Sequence, residues 1–110
     1  MLNLGNWKDI KIEGITIEKC VAEFKIFEQK YFPYSPFTIK IYEKVNGHFE
    51  GISDLQVEDS IGHFYCSVGY GDTIEKALED TILYFFEMTS RKKPGEWVVS
   101  DFQWIDRFDF

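Results

Sequence analysis

The first patterned segment lies between residues 16 and 31, where apolar residues recur at helical spacings. These spacings predict a helix with Thr16 as its N-cap, and Pro33 and Pro36 end the pattern because proline cannot continue a helix. A strand is the alternative, since a second apolar set in the same segment alternates with other residues. The helical stripe comprises Ile17, Cys20, Val21, Phe24, Phe27 and Tyr31, and the alternating set comprises Ala22, Phe24 and Ile26.

Two strands joined by a hairpin are predicted next. Apolar residues occupy every second position of segment 37–41, which is the period of a strand with one buried face. Asn46-Gly47 predicts a tight turn, and a three-residue loop with Gly47 in the left-handed conformation sets apolar residues opposite each other. The register expected from this loop pairs Ile39 with Leu55 and Phe37 with Val57.

A third strand is expected from about Gly62 to Tyr70, followed by the clearest helix of the chain. Thr73 is a suitable N-cap for this helix, and Pro94-Gly95 ends it. On the strand, the predicted buried set comprises Phe64, Cys66, Val68 and Tyr70. On the helix, the buried stripe comprises Ile74, Ala77, Leu78, Thr81, Ile82, Phe85, Phe86 and Thr89.

The predicted fold class is α+β, with the order α-β-β-β-α. Successive strands joined by short turns imply a three-stranded antiparallel meander, with two helices packed on one face. We expect a single domain over residues 1–93 and an aromatic C-terminal tail over residues 94–110 that packs on it.

The length of the chain and the lack of a long apolar run limit the classes of protein to which it can belong. The chain has 110 residues and a formal net charge of −7, and one domain is the expectation at this length. No apolar run approaches the roughly 18 residues of a membrane-spanning helix. The segment Met1–Asn6 lacks the basic and apolar regions of a secretory signal. We therefore expect a cytoplasmic protein with no membrane partner.

The acidic surplus is confined to one part of the chain. Residues 35–90 hold three lysines against ten acidic residues, whereas residues 1–34 and 91–110 are each neutral. Such a segment repels phosphates, so direct nucleic-acid binding is not expected. A field of one sign can instead steer the chain towards a basic partner.

The predicted order resembles the double-stranded-RNA-binding domain over roughly residues 15–90. The resemblance is strongest at Gly69–Leu78, where Thr73 and Ala77 match the cap and the small residue that open that family's second helix. It implies the αβββα fold. The positions of the family's phosphate-contacting lysines are occupied by Ile74, Glu75 and Leu78. Because none of them is basic, RNA binding is not carried over.

The string Gly71–Leu78 is also similar to HicB-type antitoxins. The small domain of that family runs from a β-meander into a helix that starts Gly-Asp-Thr-x-x-x-Ala-Leu. This resemblance implies an antitoxin as an alternative function.

No catalytic or metal-binding pattern is found in the sequence. No Ser or Cys stands with a His and an orienting acid at a recognisable spacing. His48 and His63 are not opposite each other in the predicted hairpins, so a shared metal is not expected. Cys20 and Cys66 are expected to be small core residues. We expect no enzyme activity, no cofactor and no metal.

The candidate partner-binding residues are acids of the middle segment and aromatic residues of the tail. Aromatic side chains commonly dominate binding energy at protein interfaces. The acids are Glu50, Asp54, Glu58, Asp59, Glu75 and Glu79, and the aromatic anchors are Trp104, Phe108 and Phe110.

These features favour a non-catalytic protein-binding domain. A small acidic domain suits a stoichiometric inhibitor of a basic nucleic-acid-handling protein, of the phage anti-defence type (such as anti-CRISPR proteins) or the toxin-immunity type. The alternatives are a homodimerisation module with a double-stranded-RNA-binding-like fold that has lost RNA contacts, and a HicB-like antitoxin. Nucleic-acid binding through Lys40, Lys44 and exposed tyrosines, and a metal-dependent enzyme, remain as further hypotheses.

Overall fold

The computed structural model describes residues 6–110. Residues 1–5 of the predicted domain lie outside this range. They include most of the segment Met1–Asn6, from which the absence of a secretory signal is predicted. No helix within residues 6–110 is both long enough and apolar enough to cross a membrane. The strands and the α-helix, in chain order, are β1 (Lys19–Ile26), β2 (Phe37–Glu43), β3 (Phe49–Glu58), β4 (Phe64–Gly71), α1 (Ile74–Thr89) and β5 (Phe102–Trp104).

All five strands form one antiparallel sheet with the order β1-β2-β3-β4. β2 pairs with β3 over Phe49–Ser53, and β5 pairs with β3 over Leu55–Val57. Since β4 occupies the opposite side of β3, β2 and β5 follow one another along the same side of that strand. The short β5 therefore brings the C-terminal segment into the sheet.

The predicted α-β-β-β-α order is wrong, because segment 16–31 contains β1 and no helix. The sheet has five strands instead of three, and α1 is the only α-helix within residues 6–110. The segment carries both periodicities, and pairing with β2 selects the alternating one. It leaves Cys20 and Phe27 of the expected helical stripe exposed. In the sheet, Ala22, Phe24 and Ile26 lie opposite Ile41, Ile39 and Phe37.

β2 and β3 form the expected hairpin, but with another register. Gly47 has a φ of +85°, so the left-handed glycine is confirmed. The Lys44 N–H donates to the His48 carbonyl at 2.9 Å, so the three-residue loop comprises residues 45–47 and not the 46–48 that the expected register requires. Ile39 lies opposite Ser53, however, and not opposite Leu55. A shift of two residues keeps every side chain on its face, so the apolar pattern cannot distinguish the two registers.

α1 starts where the sequence predicts. The Thr73 hydroxyl accepts the Lys76 N–H at 3.1 Å, which satisfies one of the free donors of the first turn. The helix ends at Thr89, well before Pro94. The side chains of α1 that are buried against the sheet are Ala77, Thr81, Phe85 and Thr89.

β4 presents to α1 the face opposite to the predicted one. Ser67 and Gly69 are buried, whereas Tyr70 of the expected buried set is exposed. The Ser67 hydroxyl donates to the Thr81 carbonyl at 2.5 Å. Small residues on this face let the helix backbone come close to the strand. Because the larger apolar side chains of β4 lie on the other face, the sequence pattern predicts that face as the buried one, which is wrong.

β3 changes its neighbours at Ser53 and Asp54. The Ser53 hydroxyl accepts the Ser67 N–H and donates to the Leu55 carbonyl, both at 2.8 Å, where the pairing of β3 with β4 is irregular. The Asp54 carboxylate accepts the Thr38 N–H, and the Asp54 carbonyl accepts the Ile105 N–H, both at 2.8 Å. The side chains of Ser53 and Asp54 thus form hydrogen bonds with backbone N–H groups that regular strand pairing leaves without a partner at this junction.

The residues after α1 lie against the sheet and the helix. Trp97 is buried, and its indole N–H donates to the Thr89 carbonyl at 3.0 Å. The Phe102 ring is centred 4.7 Å from that of Phe32 and 5.3 Å from that of Trp97. These contacts make Trp97 and Phe102 part of the core cluster.

Candidate protein-interaction surface

The face of the sheet that points away from α1 is called the outer face here. It is defined by the side chains that alternate with the α1-facing ones along each strand. α1, the only α-helix in residues 6–110, packs on the other face. The pairing places four rows of residues on the outer face: Tyr42, Glu50 and Tyr70; Lys40, Ile52 and Val68; Gln56 and Cys66; and Glu58 and Phe64.

Glu50 lies at the centre of the first of these rows. Its carboxylate is 3.3 Å from the Lys44 ammonium, which is also 2.5 Å from Glu18. The hydrogen bond to Glu18, together with that to Glu50, raises the pKa of Lys44. The negative charge of Glu50 raises the pKa of the neighbouring Tyr70 phenol. Glu50 therefore affects the pKa values of two neighbouring side chains, Lys44 after β2 and Tyr70 on β4.

Replacing Glu50 with glutamine should lower the pKa of Tyr70 towards its ordinary value, because the largest cause of the upward shift is removed. NMR titration of the Tyr70 ring resonances measures this directly. Glu79→Gln is the matched control, since Glu79 lies on α1 and does not contribute to the Tyr70 shift. An unchanged Tyr70 titration in Glu50→Gln would contradict the placement of these two side chains.

Asp54 and Asp59 make hydrogen bonds within the fold. Burial raises the pKa of the Asp54 carboxyl, which caps the Thr38 N–H. The Asp59 carboxylate accepts the N–H groups of His63 and Ile61, both at 2.9 Å, and the bond from His63 is the main cause that lowers its pKa. Both residues thus shape the sheet and the turn after β3, whereas Glu58 lies on the outer face beside Phe64.

Glu75 and Glu79 lie on the exposed side of α1, across the sheet from the outer face. The structure therefore does not bring the six predicted acids together on one surface. Four of them lie along β3 and at the residue after it, and the other two lie on α1. The sequence located the charge within residues 35–90 but could not assign it to a face.

The three predicted aromatic anchors also have different surroundings. Trp104 belongs to β5 and packs edge-on against Phe32, with ring centroids 5.5 Å apart. Phe108 is 86% exposed. Phe110 lies under Lys40, whose ammonium is 4.5 Å from the ring centre and donates to the Phe110 main-chain oxygen at 3.0 Å. Of the three, Phe108 offers the most surface for contact with another molecule.

A groove that the sequence reasoning missed lies between the β4 edge and α1. Its volume is about 480 Å³. Arg91 lines one end, where its guanidinium donates to the Glu58 carbonyl at 2.7 Å. The exposed Tyr84, which falls outside the predicted stripe of α1, was the available sequence signal. The apolar lining includes Val57, Tyr65, Val68, Tyr84 and Met88.

Within residues 6–110, no group of three or more His, Cys, Asp or Glu side chains could hold a metal ion. Cys20 is exposed, so its expected place in the core is wrong. Cys66 is half-buried on the outer face, and burial raises the pKa of its thiol. His48 and His63 are both exposed.

Comparison with models of known protein families, with curated proteins and with solved structures finds no match to this chain.

Proposed function

We propose that this chain is a small acidic protein-binding domain that occupies a basic surface of its partner, as a stoichiometric inhibitor of a basic nucleic-acid-handling protein. The observation that supports the proposal most is the outer face. It is a sheet face with apolar and aromatic side chains at its centre and carboxylates among them. Interfaces combine such an apolar centre with a polar rim.

The charge of the outer face favours a basic partner over an acidic one. Among the lysines near it, Lys44 is already paired with Glu18 and Glu50, and Lys40 with the main-chain oxygen of Phe110. The outward positions of β1, β2 and β3 carry four carboxylates and two lysines: Glu23, Glu50, Asp54 and Glu58 against Lys25 and Lys40. This excess accelerates encounter with a positive surface and repels phosphate.

The fold also disfavours RNA as the direct ligand. The start of α1 presents Glu75 beside the capping Thr73, and Ile74 and Leu78 are partly buried against the core. The basic residue of this first turn, Lys76, is paired with the Asp72 carboxylate at 3.3 Å, so the start of α1 offers no unpaired cation to a phosphate. Occupation of another protein's phosphate-binding surface needs no such cation.

Capture of a partner by the immobilised full-length chain from its native host, followed by purification of that partner, tests the proposal. We expect one copy of each protein per complex by light scattering, and an association rate that falls about tenfold or more from low to high salt. The captured protein should lose its nucleic-acid binding in the complex. A partner that associates equally fast at both salt concentrations, or that still binds nucleic acid in the complex, would contradict the proposal.

A further inference from the structure

The two edges of the sheet differ in how they are protected against pairing with another strand. Free edges are commonly blocked by charged residues, by proline or by a bulge. β1 carries Lys19, Glu23 and Lys25 and has an irregularity between Cys20 and Ala22. β4, at the other edge, has no charged residue and no proline from Phe64 to Gly71. The irregularity of its pairing lies in β3, so β4 itself is a regular strand.

The backbone groups of β4 that face away from β3 can be identified from two hydrogen bonds. The Ser67 N–H points towards β3, since it donates to Ser53. The Tyr70 N–H points outwards and donates to the Asp80 carboxylate at 2.8 Å. Because these directions alternate along a strand, the N–H and C=O groups of Cys66 and Val68 also point outwards. Asp80 closes the edge at Tyr70, and the edge is open before it.

The groove between the β4 edge and α1 runs beside this open part of the strand. It is lined by Tyr65 on β4 and by Tyr84 and Met88 on α1, and Val68 of the outer face borders it at the strand edge; its volume of about 480 Å³ can hold a side chain. Asp59 and Glu58 lie at the Arg91 end. An open edge beside an apolar groove is the arrangement that proteins use to bind a peptide as an added strand.

We infer that β4 binds an extended segment of a partner protein as an additional strand, with an apolar side chain of that segment in the groove and a Lys or Arg beside Glu58 and Asp59. This inference rests on the proposed function in that the occupant belongs to a protein partner. It assigns the contact to the β4 edge, whereas the proposed function assigns the charge-guided contact to the outer face.

Charge favours a basic segment over a second copy of this chain. Both ends of β4 carry carboxylates, with Glu58 and Asp59 at one end and Asp72 and Asp80 at the other. Two copies paired antiparallel would bring these acids together, in chains that each have a net charge of −7. Arg91 carries a single positive charge at one end of the strand, where it donates to the neutral Glu58 carbonyl, so each copy still has more acidic than basic groups beside β4.

A library of random dodecapeptides displayed on phage, selected on the immobilised full-length chain, supplies the probe. Enriched peptides should alternate apolar and polar residues and contain Lys or Arg. Tyr84→Ala should weaken binding of the synthetic peptide about tenfold or more. Leu83→Ala is the matched control, because Leu83 is the neighbouring exposed residue of α1 and does not line the groove.

Backbone methylation of the same peptide tests strand pairing itself. N-methyl groups on alternate amides should abolish binding in one phase and leave it nearly unchanged in the other, since only every second amide of an added strand pairs with β4. The absence of any enriched peptide, equal effects of the two methylation phases, or equal affinities for Tyr84→Ala and wild type would overturn the inference.

Two further results distinguish a partner strand at the β4 edge from a homodimer and from contact through the outer face. A chain that is dimeric by light scattering and becomes monomeric in Val68→Lys would show that a second copy occupies the edge, which overturns the inference. A captured partner that binds Tyr84→Ala with the same affinity as wild type would remove the edge inference alone and leave the proposed function standing. A captured partner whose association rate does not depend on salt, while the synthetic peptide still binds the β4 edge, would remove the proposed function alone and leave the edge inference standing.

Discussion

Replacing Gly69 with alanine should destabilise the fold by about 3 kcal/mol, because the added methyl group has no room. An alanine Cβ at this position would overlap the Thr81 main-chain nitrogen and lie 2.6 Å from the Asp80 carbonyl carbon. Both atoms belong to the backbone of α1, so a side-chain rotation cannot relieve the clash. α1 would have to move away from β4. The loss of stability is measured as the change in the urea midpoint of unfolding.

Gly95→Ala is the control for this substitution. A Cβ at Gly95 meets no atom within 4 Å, so its effect should stay within about 0.5 kcal/mol. If Gly69→Ala unfolds at the same urea concentration as Gly95→Ala, α1 does not lie on this face of β4. Since the face of β4 decides which residues form the outer face, the result bears on function as well as on the fold.

Replacing Phe102 with alanine should destabilise the fold by about 3 kcal/mol, because its ring is buried in the core cluster between Phe32 and Trp97. Phe102 is 8% exposed and lies in the segment that sequence analysis separates from the domain as a tail. Phe108→Ala removes the same atoms from a position that is 86% exposed and should change stability by less than about 0.5 kcal/mol. Thermal unfolding of both variants gives the comparison. Equal midpoints would mean that β5 does not complete the core.

The elements that local chemistry specifies could be predicted from the sequence. α1 has a capping threonine and one apolar stripe, and both indicate the same start. The hairpin loop is specified by Gly47, which adopts the left-handed conformation that glycine favours. The alternating residues of β2 have no helical interpretation that competes with the strand.

The parts that depend on tertiary contacts could not be predicted in this way. Segment 16–31 has apolar residues at helical spacings, which predict a helix, and also at alternate positions, and the partner strand β2 selects the alternating set. The face of β4 is decided by how closely α1 approaches Ser67 and Gly69, and a search for apolar side chains overlooks such small residues. β5 pairs over three residues and depends on Asp54, whose role becomes visible only when both neighbouring strands are in place.

The candidate site also combines features that the sequence predicts with features that depend on tertiary contacts. The region that carries the acidic surplus is visible in the sequence, but the separation of Glu50 and Glu58 from Glu75 and Glu79 requires the sheet. The groove at the β4 edge combines residues from β3, β4 and α1 that have no sequence pattern in common.

The most direct test of the central claim, that the outer face binds a basic protein partner, compares two doubly neutralised variants. Glu23→Gln with Glu50→Gln removes two carboxylates from the outer face, and Glu75→Gln with Glu79→Gln removes two from α1, so the net charge changes equally. The measurement is the rate of association with the captured partner at low salt. The outer-face variant should associate about tenfold more slowly than wild type, and the helix variant within about twofold of wild type. Equal rates for the two variants, or a slower rate for the helix variant alone, would contradict the claim.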